Sequence, residues 1–166
     1  MPFYSKEASP YLENPKRLAD VIAAIQVMGT YRFYKLDFKG WSKRITGVEG
    51  NHEYWKKVIE EHPEFFRFNE DKTKASLAWR RSYQRRYHVD RAEVLTKPEY
   101  DALPKEERKE KVSRVPLSSS DIATLISTAV DIHARVLEKR KDNRWLITLL
   151  VGLLGVVLGA AIKAWI

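Results

Sequence analysis

The stretch FFRFNEDKTKASLAW, from Phe65 to Trp79, has the pattern of two short strands joined by a turn. Residues 65–68, three of which are phenylalanine, make the first strand, and residues 73–79 make the returning strand. The four polar residues between them, 69–72, are typical of a turn. Because the rest of the chain shows mostly helical patterns, this hairpin leads us to predict an α+β fold.

Three helices are predicted on the N-terminal side of the hairpin. Residues 15–28 repeat apolar side chains at helical spacing, with Pro15 at the first helical position and Gly29 after the last. The apolar face of this first helix contains Leu18, Val21, Ile22, Ile25 and Met28. The other elements predicted here are a short strand over 31–34, a helix over 38–45 and a helix from Asn51 to His62.

The resulting order of elements is helix, short strand, helix, helix, strand, turn, strand. This order resembles that of a winged helix-turn-helix domain, and the resemblance rests on element order and on the placement of apolar residues. It implies a small winged-helix-like domain over residues 15–92, preceded by an N-terminal segment over 1–14.

The segment WRRSYQRRYHVDR, residues 79–91, is the densest cluster of arginines and aromatic residues in a chain of net charge +8. Guanidinium groups pair with phosphates and carboxylates, and aromatic rings stack on bases or on guanidinium groups. The candidate binding residues are Trp79, Arg80, Arg81, Tyr83, Arg85, Arg86, Tyr87 and Arg91. They predict binding of nucleic acid, of anionic lipid or of an acidic protein partner, and the sequence leaves these alternatives open. Strand and helix periods both align the aromatic residues, so the secondary structure of the cluster stays open too.

The third predicted helix argues against recognition of duplex DNA through its surface. The segment 51–64 carries four glutamates, which would repel phosphate groups. Winged-helix domains also serve as protein-interaction modules, and this helix suits that role better.

No motif of the sequence predicts an enzyme. The absence of cysteine excludes thiol catalysis, disulfides and Cys-ligated metal sites. Arg81 and His88 match the loose R-x(4–6)-H pattern of the HEPN ribonucleases, but any arginine-rich stretch followed by a histidine meets so degenerate a pattern. The four histidines, His52, His62, His88 and His133, match no metal-binding spacing. We therefore expect a non-enzymatic protein without cofactor or metal.

Residues 93–117 are predicted to form a charged linker, and residues 118–143 an amphipathic stem helix. Acids and bases balance in the linker, whereas apolar residues recur at intervals of three and four along the stem. Such a seam indicates either a contact between copies of the chain or a face packed on its own domain. The seam residues are Ile122, Leu125, Ala129, Ile132 and Val136.

The run WLITLLVGLLGVVLGAAI, residues 145–162, has no charged side chain and predicts a transmembrane helix within 144–166. At about 1.5 Å per residue it makes roughly 27 Å of helix, close to the roughly 30 Å hydrocarbon core of a bilayer. The residues predicted at the two membrane interfaces are Arg144, Trp145, Lys163 and Trp165. Basic residues precede the span, so the positive-inside rule places residues 1–144 in the cytoplasm. The prediction is a single-pass, tail-anchored protein of the inner (cytoplasmic) membrane.

Three glycines, Gly152, Gly155 and Gly159, lie within the predicted span. Small residues on one helix face let two helices approach closely in a bilayer, which favours a homo-oligomer. At 100° per residue, this face lies about a third of a turn from the centre of the stem seam. One straight helix could therefore not present both faces to the same partner.

Together these features predict a tail-anchored, non-enzymatic prokaryotic membrane protein with a cytoplasmic sensing or adaptor domain. That domain would bind a polyanion or an acidic protein partner, and the stem and the span would oligomerise. The alternative function is a membrane-perturbing or pore-forming effector of an antiphage defence system, in which the soluble domain gates the assembly of the spans.

Overall fold

The computed structural model describes residues 9–139 together with Leu149 and Val151. Apart from those two positions, the predicted span 144–166 lies outside the described residues, and so do its three glycines and its four interface residues. No helix among the residues that the structure describes is both long and apolar enough to cross a membrane.

The described chain contains both helices and strands, and the fold is α+β, as the sequence predicts. The helices are α1 (Pro10–Glu13), α2 (Arg17–Thr30), α3 (Phe38–Thr46), α4 (His52–Glu60), α5 (Lys97–Ala102), α6 (Lys105–Lys111) and α7 (119–139). The strands are β1 (Lys35–Asp37), β2 (Phe66–Phe68), β3 (Lys74–Leu77), β4 (Tyr87–His88), β5 (Glu93–Val94) and β6 (Val112–Ser113). A 3₁₀ turn over Trp79–Ser82 follows β3.

The first sheet contains the predicted hairpin and has the strand order β1-β3-β2, with both pairings antiparallel. Lys35 of β1 lies opposite Ser76 of β3, and Phe66 of β2 lies opposite Leu77. The hydrophobic core lies between this sheet and helices α2, α3 and α4. The indole N–H of Trp41, a fully buried residue of α3, donates to the Ala75 carbonyl at 2.9 Å and ties the helix to the central strand.

The first strand begins four residues later than the sequence predicts, because residues 31–34 form a loop whose backbone groups bind elsewhere. The carbonyls of Tyr31 and Arg32 accept hydrogen bonds from the Arg80 side chain. The Tyr34 amide donates to the Ser113 hydroxyl at 3.0 Å. These backbone groups are therefore not available to a sheet ladder.

The segment 93–117 is part of the folded domain, which corrects the prediction of a linker. Strands β5 and β6 pair with the two sides of β4 and form a second antiparallel sheet. Leu95, Val112 and Leu117 are buried, while α5 and α6 bury no residue. The balanced charges of the segment lie mostly on these two exposed helices and hide the few apolar anchors that hold it in place.

Helix α7 lies where the stem helix is predicted, and its apolar seam packs on the same chain. Leu125 and Ala129 are buried in the main core, and Ile122, Ile126 and Ile132 pack against it. The approach to α2 is close, since a Cβ added to Gly29 would lie 3.3 Å from Cγ1 of Ile122. The predicted oligomerisation role of Ile122, Leu125, Ala129 and Ile132 is therefore corrected, because their side chains are occupied within the domain. Val136, one turn further on, is half-buried.

Candidate functional site

Arg80 is predicted as a binding residue, but in the structure it does not lie at the surface. It is fully buried, and its guanidinium donates to five backbone carbonyls, those of Met28, Tyr31, Arg32, Arg114 and Val115. Burial lowers its pKa to about 10, so the group is still protonated at neutral pH. A polyanion cannot reach this charge. The hydrogen bonds of Arg80 instead connect α2, the loop that follows it and the segment before α7.

Tyr83 is also used within the fold. Its hydroxyl donates to the Asp121 carboxylate of α7 at 2.7 Å, and Asp121 accepts from the Ser118 amide and hydroxyl as well. These hydrogen bonds lower the pKa of Asp121, with the Ser118 hydroxyl first and the Tyr83 hydroxyl second, while the bond to Asp121 raises the pKa of Tyr83. Tyr83 thus fastens the cluster to the start of α7.

The other members of the predicted cluster spread over both sheets. Trp79 is 37% exposed, Tyr87 is half-buried in β4, and Arg86 donates to the Gln84 side chain. Arg81 is exposed beside the Phe68 carbonyl, and Arg91 lies 3.7 Å from Glu93. The segment 79–91 is neither one helix nor one strand, so its arginines do not form a single row.

His88, the second half of the HEPN-like pattern, is buried in β4. Its Nδ1 accepts from the Arg91 amide at 3.3 Å, and its Nε2 lies 3.6 Å from a carboxylate oxygen of Glu107. Arg81 is exposed and contacts the first sheet. The two residues therefore take separate structural positions.

Arg85 lines a basic groove between the two sheets, and this groove is the candidate site. Its guanidinium donates to the carbonyls of Arg108, Lys109 and Val112, while the residue remains exposed. It forms one wall of an open pocket of about 350 Å³. The pocket is lined by Phe33, Tyr34, Lys35, Lys74, Arg85, Lys109, Glu110, Val112 and Ser113.

The charge of the groove is strongly unbalanced. Among the described residues that line it, four are cations (Lys35, Lys74, Arg85 and Lys109) and one, Glu110, is an acid. None of the three lysines takes part in an ion pair within the described part of the chain. Cations placed together without carboxylate partners raise the local concentration of anions, and a concave surface strengthens that field.

The groove continues past Lys35 towards the turn between β2 and β3. A second open pocket of about 440 Å³ shares Lys35 with the first and is lined further by Phe68, Asn69, Glu70, Asp71 and Arg81. Glu70 and Asp71 place negative charge at this end. The positive stretch of the groove therefore runs from Arg81 past Lys35 to Lys109.

Two aromatic residues lie at the wall of the groove, in the loop before β1. The Arg114 guanidinium lies 5.3 Å from the centre of the Tyr34 ring, and the Lys35 ammonium lies 5.8 Å from it. The Arg32 guanidinium lies 5.4 Å from the centre of the Phe33 ring. Rings held beside cations in this way can stack on a planar ligand group while the cations neutralise its charge.

The sequence pattern misses most of the groove, because its lysines are far apart in the chain. Lys35 and Lys74 come together through the antiparallel pairing of β1 with β3, and Lys109 is carried in by α6. The sequence places Lys74 on the predicted returning strand 73–79, and no pattern marks Lys35, Lys74 or Lys109 as part of a site. Within the part of the chain that the structure describes, no group of three His, Asp or Glu side chains could hold a metal ion.

Comparison with known proteins adds no family to this description. No family model matches the chain, and neither a curated protein nor a solved structure matches it. The basic groove itself therefore carries the functional argument.

Proposed function

We propose that the chain is a non-enzymatic, membrane-tethered adaptor whose folded domain binds single-stranded nucleic acid in the basic groove. The observation that carries this proposal is the convergence of four cations and two aromatic rings on one pocket, whose lysines form no ion pair among residues 9–139. Phosphate groups would bind the cations, and bases would stack on Phe33 and Tyr34.

The finer fold that we propose is a winged-helix-like domain. Its support is the chain order α2-β1-α3-α4-β2-β3 together with the sheet order β1-β3-β2, in which the hairpin β2-β3 would be the wing. The groove lies beside this hairpin and not on α4, the helix in the position of a recognition helix.

The surface of α4 favours a single strand over a DNA duplex. Its exposed side carries Glu53 and Glu60 alongside Lys56 and Lys57, so it has no excess of positive charge. A duplex docked through this helix would bring its phosphates against the glutamates. The groove also fits nucleic acid better than a flat membrane surface, because it is concave and has rings on which bases can stack.

The membrane tether in this proposal is the uncharged run 145–162, with the folded domain on the cytoplasmic side of the inner membrane. Carbonate extraction tests the tether: the full chain should stay in the membrane pellet, and release into the supernatant would refute it. A reporter fused after Ile166 should be active only outside the cytoplasm, and cytoplasmic activity would overturn the orientation.

Binding is tested by the salt dependence of affinity for a fluorescent single-stranded oligonucleotide, with the full chain in neutral detergent. The triple variant Lys35→Gln, Lys74→Gln, Lys109→Gln should bind more weakly. Its slope of log affinity against log salt should be shallower by about 2, since each phosphate contact on a single strand contributes about 0.7. Arg85 is left in place because its guanidinium also binds three backbone carbonyls.

The matched control removes the same charge elsewhere. Lys16, Lys97 and Lys105 are exposed and lie outside the groove, so their triple change to Gln should leave the slope unchanged. Phe33→Ala should weaken binding without changing the slope, because stacking releases no counterions. Equal effects of the two triple variants would overturn the proposed site. Binding of soluble short-chain phosphatidylglycerol without binding of the oligonucleotide would identify a lipid head group as the ligand instead.

A further inference from the structure

Helix α7 has a second apolar face that the described residues of its own chain leave exposed. Val130 is 42% exposed and Leu137 is 40% exposed, and Ala134, which lies between them, is exposed as well. We call these three residues the exposed stripe. We propose that a second copy of this chain packs against the exposed stripe, with the two α7 helices side by side and parallel.

The exposed stripe and the packed seam point in different directions. At 100° per residue, Val130 and Leu137 lie within about 20° of each other around the helix axis. By the same count, the exposed stripe is roughly 140° from the mean direction of Leu125, Ala129 and Ile132. Helix α7 can therefore contact its own domain through the seam and a partner through the stripe at the same time.

The choice of a second copy as the partner comes from the sequence that follows α7. Gly155 and Gly159 stand 25 and 29 residues after Val130. Counted along an unbroken helix, they fall about 20° to either side of Val130. The exposed stripe and the glycines would then form one line, whereas the packed seam would not align with the glycines.

The size of the exposed stripe points the same way. Three small or medium side chains cover far less than the roughly 1,000 Å² that a stable protein interface buries. A soluble partner would have only this surface, but a second copy extends the contact along the span, where glycines allow close helix packing. Both copies enter the bilayer from the same side, so each stripe would meet itself across a two-fold axis.

Counted along the same unbroken helix, Lys141 and Arg144 would lie within about 40° of Val130 and would approach their counterparts at the membrane surface. Long basic side chains can turn towards lipid phosphates at that level, which separates the like charges. The stripe itself, from Val130 to Leu137, carries no charge on this face.

The test uses disulfide cross-linking in membranes, and the full chain suits it because it has no cysteine. Ala134→Cys places a thiol on the exposed stripe, and Thr128→Cys places one on an exposed position of the opposite side of α7. Under a mild oxidant, Ala134→Cys should give at least about fivefold more covalent dimer than Thr128→Cys at equal expression. Equal cross-linking of the two variants, or none in either, would overturn the proposal.

A second variant tests the continuous line. Adding Gly155→Leu and Gly159→Leu to Ala134→Cys should abolish most of the cross-linked dimer, and an unchanged yield would show that the glycines do not continue the contact. The inference rests on the proposed membrane tether, so carbonate extraction is carried out on the same membranes. Protein that stays in the pellet but fails to cross-link refutes the parallel pair alone, while release into the supernatant refutes both the pair and the tether.

Discussion

Replacing Arg80 by methionine should destabilise the domain without acting through any ligand. The guanidinium binds five backbone carbonyls, and three of these contacts have donor–acceptor distances of 2.9–3.1 Å. The methionine side chain fills a similar space but donates no hydrogen bond, so the carbonyls would remain buried without their partner. With the shorter contact to the Tyr31 carbonyl these make four good hydrogen bonds, and at about 1 kcal/mol for each the expected loss is about 4 kcal/mol.

Such a loss is large for a domain of this size. The free energy of unfolding of a native domain is about 5–15 kcal/mol, and 4 kcal/mol changes the unfolding equilibrium by about a thousandfold. The assay is urea denaturation of the full chain in neutral detergent, followed by the fluorescence of its five tryptophans. A fall in the midpoint with an unchanged slope is the expected result.

Arg81 supplies the matched control, since it is the same residue type at the next position. It is exposed, and its contact with the Phe68 carbonyl is long, at 3.5 Å. Arg81→Met should change the stability by no more than about 0.5 kcal/mol. If the free energy of unfolding of Arg80→Met is within about 1 kcal/mol of that of the unchanged protein, the proposed structural role of Arg80 is refuted.

Three further predictions concern the attachment of α7 and the groove. Gly29→Val should destabilise the domain by about 1–3 kcal/mol in the same urea assay, because its Cβ would lie 3.3 Å from Cγ1 of Ile122. An unchanged midpoint would show that α7 can move away freely. Asp121 has a lowered pKa, so its charged form stabilises the fold above its ordinary pKa of about 4 and this contribution is lost as the pH falls through the lowered value. The stability difference between the unchanged protein and Asp121→Asn should therefore shrink on acidification from pH 6, and a constant difference would contradict the hydrogen-bond network. Tyr83→Phe should lower stability in urea and leave oligonucleotide affinity unchanged, since the Tyr83 hydroxyl binds Asp121. A loss of affinity without a loss of stability would show that Tyr83 belongs to the binding site.

Local patterns along the chain predict most of the helices and the hairpin. The predicted helices over residues 15–28, 38–45 and 51–62 lie within a few residues of the bounds of α2, α3 and α4. The aromatic run before the polar turn places β2 and β3 in the same way. These elements are encoded by neighbours in sequence, and the physical signals that set them are therefore local.

The second sheet escapes this kind of prediction because its strands are only two residues long. A pair such as Glu93–Val94 has no detectable alternation, and it is a strand only because β4 lies beside it. The anchors Leu95 and Val112 are likewise isolated among charged residues, so average composition masks their burial.

The amino-acid sequence by itself determines that α7 has an apolar seam, that residues 79–91 concentrate arginine, and that residues 145–162 carry no charge. Only the tertiary structure decides what these features contact. Arg80 and Arg81 are the same residue type and are neighbours in the 3₁₀ turn Trp79–Ser82. Because a 3₁₀ helix has three residues per turn, their side chains point about 120° apart. Arg80 binds five carbonyls, whereas Arg81 is exposed to solvent. The groove lysines are separated by tens of residues, and strand register and the docking of α6 bring them together. Sequence periodicity gives the direction of a side chain relative to its own helix or strand, while the packing of distant segments determines what lies opposite it.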